Sequence, residues 1–307
     1  MAKVILKALN GLVSCIIFLA LSVAALYSVY ALWDNHRVYA AADHVRADLL
    51  ALKPNGEVNA DTAASFDALK CINPDVCAWL AVDNTGIDYP VLQGENNLSY
   101  INTDVYGSFA LSGSIFLDSR CDMDFTDCYS LLYGHHMENS KMFGDLDLFR
   151  DASFFSENSS GTLSTPERVY SVEIFASIVV PASDKVIFEP RQWRDDPRGL
   201  LEYARDNSVN LRQSVVDRLS VSTERPLILG MSTCAADYTD ARTVVLAVLE
   251  EQKPEKQRNE NEKKDIHITG DDDNACRFDL PSDHCLGRYP RGGVAAGESQ
   301  YYRRSAR

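Results

Sequence analysis

The sequence predicts a mainly β protein with helices at its N-terminal end, a helical insertion late in the chain and a membrane anchor in front. From Ala78 onward, short apolar runs recur between turn residues. A stretch of 22 uncharged residues lies near the N-terminus. An amphipathic helical pattern interrupts the apolar runs just before the last two of them. Many short strands at modest spacing read as a barrel or a sandwich.

Composition narrows the classes. A chain of 307 residues holds one large domain or two ordinary ones. With 46% hydrophobic and 24% charged residues it is neither disordered throughout, collagen-like nor a small disulfide scaffold. Acidic residues outnumber basic ones 44 to 30, a formal charge of −14. That balance argues against nucleic-acid binding and against docking on anionic lipid through surface charge. No internal repeat appears at solenoid periods.

The elements follow in order. Residues 1–11 form a short N-terminus with Lys3 and Lys7, and residues 12–33 form the anchor. At ~1.5 Å per residue the anchor is long enough to cross a bilayer core. Lys3 and Lys7 precede it and Asp34 follows, so the positive-inside rule predicts a cytoplasmic N-terminus and an exported remainder. Tyr27, Tyr30 and Trp33 cluster at its outer end, where interfacial aromatics belong. A cleaved signal peptide is the competing reading, with a cut offered within Val38 to Ala42, but its apolar core would span only ~7–15 residues.

Residues 34–64 read as a helical region. Val38, Ala42, Val45, Leu49 and Leu52 recur at helical spacing within a helix from Asn35 to Leu52, which Pro54-Asn55-Gly56 ends. A second helix covers Ala60 to Lys70, opened by Asp61-Thr62. Residues 65–250 form the main domain. Its strands are expected at Ala78–Val82, Tyr89–Gln93, Ser114–Leu117, Tyr129–Tyr133, Gly161–Ser164, Val169–Val180, Pro226–Thr233 and Thr243–Leu249. The helical insertion runs from Pro197 to Leu219, in two pieces around Asn207 to Asn210. Residues 251–307 form a polar tail with balanced charge, too poor in apolar residues at its start to fold alone. Asp271-Asp272-Asp273 lacks the spacing of a calcium loop, and no cysteine spacing suits zinc, so no metal and no cofactor is expected.

Cysteine usage fits export. Outside the anchor, close pairs stand at Cys71 with Cys77, Cys121 with Cys128, and Cys276 with Cys285, which suggests local disulfides. Spacing does not fix the connectivity, since six cysteines allow 15 pairings. Buried free thiols are the other reading. Cys234 is left over, and an odd cysteine in an exported chain suggests a reactive thiol.

Cys234 ends the apolar run that begins at Leu227, next to a polar turn from Asp237 to Asp240. Arg242 opens the following strand and returns to the same sheet end if the two strands are neighbours. Tyr133-Gly134-His135-His136-Met137 closes another apolar strand, which places an imidazole at a strand end. A thiolate is a nucleophile, an imidazole exchanges protons, and an arginine stabilises a developing oxyanion. Each residue alone has an ordinary structural reading: a buried thiol, a satisfied histidine, a solvated edge charge.

Together they carry a family resemblance. Leu229-Gly230-Met231-Ser232-Thr233-Cys234 with Arg242 resembles the cysteine–arginine signature of sortases, with Met231 and Gly230 as departures from its usual residues. Leu132 to Met137, then Met142-Phe143-Gly144-Asp145-Leu146, resembles the histidine segment of class B sortases. Trp79, Ile87 to Val91, Gln93 and Gly113 to Asp118 are similar to their N-terminal strands. The resemblance spans about Asn35 to Leu249.

It implies a sortase-type closed β-barrel with N-terminal helices and a helical insertion before the cysteine strand. It also implies a membrane-tethered cysteine transpeptidase on the outer face of a Gram-positive cell. Such an enzyme cuts a C-terminal sorting motif of exported proteins and forms a thioester. It then passes the acyl group to a cell-wall amine, or to a pilin lysine in pilus-building members. The family places the nucleophile at Cys234, the acid/base at His135 and the oxyanion-stabilising or substrate-positioning cation at Arg242, with His136 second to His135. Asn97, Ile101, Ser232 and Thr233 resemble substrate-groove residues, while Ala235 stands where some relatives carry an acidic residue. A hydrolytic cysteine peptidase or an anchored binding protein are the remaining readings. His135 precedes Cys234 and the third residue is Arg, which disfavours the first.

Overall fold

The computed structural model describes residues 2–234 and 241–252. Helix α1 (Ala2–Leu50) is one continuous helix of 49 residues. The anchor and the helix from Asn35, read as separate segments in the sequence, are continuous in it, since Asp34-Asn35-His36-Arg37 contains neither Gly nor Pro. Its two parts differ in surroundings. Large apolar side chains from Ile5 to Trp33 are exposed, and this part is long and apolar enough to cross a membrane. Beyond it, Val38 and Tyr39 pack against one core cluster and Val45 and Leu49 join another. Helix α2 (Ala60–Ile72) is capped by Asn59, whose side chain accepts from the Thr62 amide, rather than by the Asp61-Thr62 pair. Thr62 is already the third helical residue and itself donates from Oγ1 to Asn55 and to the Glu57 carbonyl.

The strands are β1 (Val76–Val82), β2 (Asp88–Leu92), β3 (Ile115–Leu117), β4 (Tyr129–Met137), β5 (Lys141–Met142), β6 (Ser160–Ser164), β7 (Val169–Pro181), β8 (Ser208–Leu211), β9 (Leu227–Cys234) and β10 (Ala241–Glu251). Short helices α3 (Ala152–Glu157), α4 (Lys185–Phe188), α5 (Arg198–Asn207) and α6 (Gln213–Val221) lie between them. Neighbours run β10-β9-β4-β3-β2-β1-β6-β7, and β10 pairs with β7 to close an eight-stranded barrel, as expected. Closure removes the exposed edges that an open sheet would present.

β7 serves as the seam. β10 runs beside it from Tyr170 to Pro181, while its other side is shared by β6 over Val169 to Glu173 and β8 over Ala176 to Ile178. The break expected around Asn207 to Asn210 is therefore a strand. Ser, Val and Asn disfavour helix interiors, and Asn210 donates to the carbonyls of Phe149 and Arg150, both at 2.9 Å. β4 is also longer than expected. Gly134 does not end it, because the missing side chain admits the Phe143 ring: a Cβ there would lie 2.9 Å from it.

Alternate residues feed two cores. Ala78, Leu80 and Val82 of β1, with Ile115 and Leu117 of β3, join the cluster inside the barrel. Trp79 and Phe116 face the other way and meet Leu49, Phe66 and Leu69 of the N-terminal helices. Each such buried side chain contributes ~1.5–3 kcal/mol, so the second half of α1 belongs to the globular domain.

Cys71, Cys77, Cys121 and Cys128 are free thiols, which is the other of the two readings that the sequence left open for these close pairs. Cys71 is exposed on α2 whereas Cys77 is buried and donates to the Val91 carbonyl at 3.4 Å. Burial pushes the thiols of Cys77 and Cys121 up to about 12, which leaves them protonated and unreactive. The turn at Asp237 to Asp240, the pair Cys276 and Cys285, and the tail beyond Gln252 lie outside the described residues.

Candidate active site

The chemistry-bearing residues meet through strand register. β4 and β9 are parallel neighbours, with Tyr133 beside Ser232, Gly134 beside Thr233 and His135 beside Cys234. β9 and β10 are antiparallel, with Val244 opposite Ser232, so the same register carried toward the sheet end aligns Arg242 with Cys234. Arg242 Nη1 donates to the Thr233 carbonyl at 3.4 Å. His135 does not stand at the strand end but inside it, since β4 continues to Met137. The His135 carbonyl accepts from the Phe143 amide at 3.0 Å, which braces the backbone under the imidazole.

The His135 ring is oriented as well. Its Nε2 lies 2.7 Å from the Ile101 carbonyl. A carbonyl only accepts, so Nε2 carries the hydrogen and the neutral ring keeps Nδ1 as its basic atom. Gly113 (φ +57°) allows this contact: a Cβ there would sit 2.1 Å from the Ile101 oxygen. His136 alternates to the opposite face of β4. Its Nε2 pairs with Asp147 Oδ2 at 3.0 Å, and it is absent from the cleft.

The cleft holds about 440 Å³. His135, Tyr133, Thr233 and Arg242 line its strand side. Asn97, Leu98, Ile101 and Phe116 line a second side, and Ala182, Phe188 and Glu189 with Arg120 a third. Of the groove residues expected from sequence, Asn97, Ile101 and Thr233 reach the cleft. Ser232 does not line it: it is fully buried, and its hydroxyl donates to the Thr233 carbonyl at 3.3 Å.

Sequence reasoning missed the group that ties the loop sides together. Arg120 donates from Nε and Nη2 to the two oxygens of Asp118, at 2.9 and 2.7 Å. The same guanidinium reaches the Phe188 carbonyl at 2.7 Å and Glu189 at 2.8 Å. Asp118 also accepts from Asn97 Nδ2 at 2.9 Å and from the Tyr133 hydroxyl at 3.0 Å. Burial raises the carboxyl's pKa, but the bonds from Arg120 and Asn97 outweigh it and hold it below the usual carboxylate value. Asp118 and Arg120 stand two residues apart, a spacing that signals nothing by itself; their partners lie near residues 97 and 189. Among the described residues, no group of three or more His, Cys, Asp or Glu side chains gathers to hold a metal ion.

No family model matches the chain. A Streptococcus pyogenes class B sortase involved in pilus biogenesis is 41% identical, at a TM-score of 0.54 over 60% of this chain and 97% of that structure. The Staphylococcus aureus sortase B–substrate complex is 28% identical, with a TM-score of 0.54 over 62% of this chain and 87% of that one. Sortase B of Listeria monocytogenes is 28% identical over 219 residues, 70% of this chain and 85% of that protein. With likeness running over nearly the whole of the Streptococcus structure, and with the same closed barrel, the chain belongs to the class B sortases and is a cysteine transpeptidase.

Proposed function

We propose that Cys234, His135 and Arg242 carry the reaction, and that it transfers the sorting-motif end of an exported protein to an amine of the cell wall. The observation that supports this is the register of β4 and β9, which sets His135 and Cys234 side by side while Arg242 shares the cleft with His135. The Cys234 thiolate attacks the carbonyl of the scissile bond, and Arg242 stabilises the oxyanion that forms. His135, protonated at Nδ1, gives that proton to the departing amine as the C–N bond breaks, and a thioester remains. The acceptor amine attacks the thioester, loses its proton to His135, and the Cys234 thiolate leaves. The apolar stretch of α1 anchors the domain, with the N-terminus cytoplasmic and residues 65–250 outside, so enzyme and anchored substrate share one surface at high effective concentration. Asn97, Ile101 and Thr233 bind the motif.

A second reading takes a pilin lysine as the acceptor. It is favoured by the 41% identity to a class B sortase involved in pilus biogenesis, against 28% for the two sortase B proteins. The test is intact-mass spectrometry of the full chain in detergent micelles with peptides bearing Asn-Pro-type sorting motifs. Wild type gains the mass of the peptide's N-terminal part, and Cys234→Ala gains nothing. No adduct on wild type with any peptide, despite alkylation of Cys234 by iodoacetamide, overturns the proposal. Adding a glycine-peptide amine or a lysine-bearing protein then shows which acceptor releases the adduct.

A further inference from the structure

We infer that Asp147 is a positioning residue for the transpeptidation, acting as a buckle behind the cysteine strand. The inference rests on the roles proposed for Cys234, His135 and Arg242.

Asp147 lies in a 3-10 helix spanning Gly144–Arg150. This helix packs against β4, β9 and β10 together. Its approach to β4 needs glycine at its first position, because a Cβ at Gly144 would lie 1.8 Å from the Met137 carbonyl oxygen. From there the Asp147 carboxylate reaches two strands. Oδ2 pairs with His136 Nε2 at 3.0 Å, on β4. Oδ1 accepts from the Thr243 hydroxyl, on β10. Arg150 stands 3.8 Å from Oδ1 on the same helix.

The partners are the chain neighbours of the cleft residues: His136 follows His135, and Thr243 follows Arg242. Successive residues of a strand point to opposite faces. While His135 and Arg242 face the cleft, the residues behind them converge on one carboxylate. β4 and β10 flank β9 on either side. Asp147 therefore spans the strand that ends in Cys234 and fixes the spacing between its two neighbours. The strand spacing near the open end of the sheet sets how far the imidazole and the guanidinium stand from the reacting carbonyl. A displacement of ~1 Å in such a group costs up to ~100-fold in rate. A hydroxyl that is itself buried, as Thr243 is, also loses its partner when the carboxylate goes.

The test uses the full chain in detergent, with a fluorogenic peptide bearing an Asn-Pro-type motif, and kcat expressed per thioester-forming site. Asp147→Ala should lower kcat by about 10- to 100-fold while KM stays within about twofold. Asp147→Asn keeps an oxygen for the Thr243 hydroxyl and should recover most of that loss. A kcat within twofold of wild type in Asp147→Ala overturns the inference. So does a lower melting temperature with unchanged kcat per active site, which would mark a purely structural role. If Asp147→Ala does not fold, Thr243→Val and His136→Ala each remove one arm of the buckle, and unchanged kcat in both overturns it equally. Wild type without a thioester overturns the proposed catalytic roles and this inference with them, whereas an active wild type with an indifferent Asp147→Ala overturns only the inference.

Discussion

One side of the cleft is made of the strands β4, β9 and β10 and the others draw mainly on the segments around residues 97–101 and 182–189, and different forces hold them. On the strand side, β4, β9 and β10 are locked by backbone ladders, so a side chain's place follows from register. On the loop sides, residues 97–101 and 182–189 are linked by no ladder to each other; Asp118 and Arg120 connect them through side chains. Backbone ladders resist the loss of any one side chain, whereas a clamp of two charged residues does not. The residues proposed to carry the chemistry thus sit on the wall whose geometry is over-determined, while Asn97 and Ile101, proposed to bind the motif, sit on a wall that a single substitution can loosen.

The strongest way to break this contrast is to remove the chemical groups from the rigid wall. His135→Ala should cut kcat by ~10²–10⁴-fold, the range for losing an acid/base residue. Arg242→Ala should cost ~10²–10³-fold, the range for an oxyanion donor. In both variants the ladders remain, so the melting temperature and KM should change little. Thermal unfolding and steady-state kinetics on the same samples check this, and a large fall in stability for either variant would place the residue in the framework instead.

Arg120→Ala probes the opposite wall and should behave the other way round. It removes the bonds to Phe188 and Glu189 and leaves the Asp118 carboxylate, fully buried, without its cation. Taking one partner from a buried pair costs ~3–5 kcal/mol. Arg120 itself is 28% exposed, so a smaller loss of about 2 kcal/mol is expected here. With residues 182–189 released, KM for the peptide should rise roughly tenfold, the equivalent of about 1.4 kcal/mol of binding, and kcat should hold. If kcat falls instead, the clamp reaches the chemistry and the two walls are not independent.

The same division explains what the sequence reveals. The strand wall is legible because its signal is local: apolar runs bounded by turn residues place β9, β10 and most of β4, and the chemically distinctive residues Cys234, His135 and Arg242 lie at or within two residues of their ends. The short strand β8 beside the seam and the last part of β4 are not legible. Asn210 and Gly134 read as breaks in one dimension, and only the carbonyls at Phe149 and Arg150 or the ring of Phe143 convert them into pairing positions. The loop walls are least legible. Arg120 and Glu189 meet across 69 positions, and no period or spacing encodes that encounter. Ser232 shows the limit from the other side, since its place two residues before Cys234 in sequence gives it no place in the cleft. His136 likewise sits next to His135 but turns away to Asp147.

The smallest expected effect sharpens the account of the clamp through acid. Asp118 titrates near ~3.9 in the unfolded chain and below its usual value in the folded protein, because the bonds from Arg120 and Asn97 outweigh the cost of burial. Well above pH ~4 both states are ionised and the contribution to stability is complete. As the pH falls below ~4 the unfolded state takes the proton first, so stability declines until the folded carboxyl is protonated too. Other carboxylates titrate in this window, so the wild-type curve alone does not isolate the group. Asp118→Asn does: its amide keeps the size and cannot titrate. The melting temperatures of wild type and Asp118→Asn, measured from pH 6 to pH 3 (roughly the window set by the carboxylate reference value), should lie apart at the upper end and converge toward the lower. Parallel curves would mean that Asp118 carries no more charge-dependent stability than an exposed carboxylate, and that the loop walls are held by packing around Phe188 and Ile101.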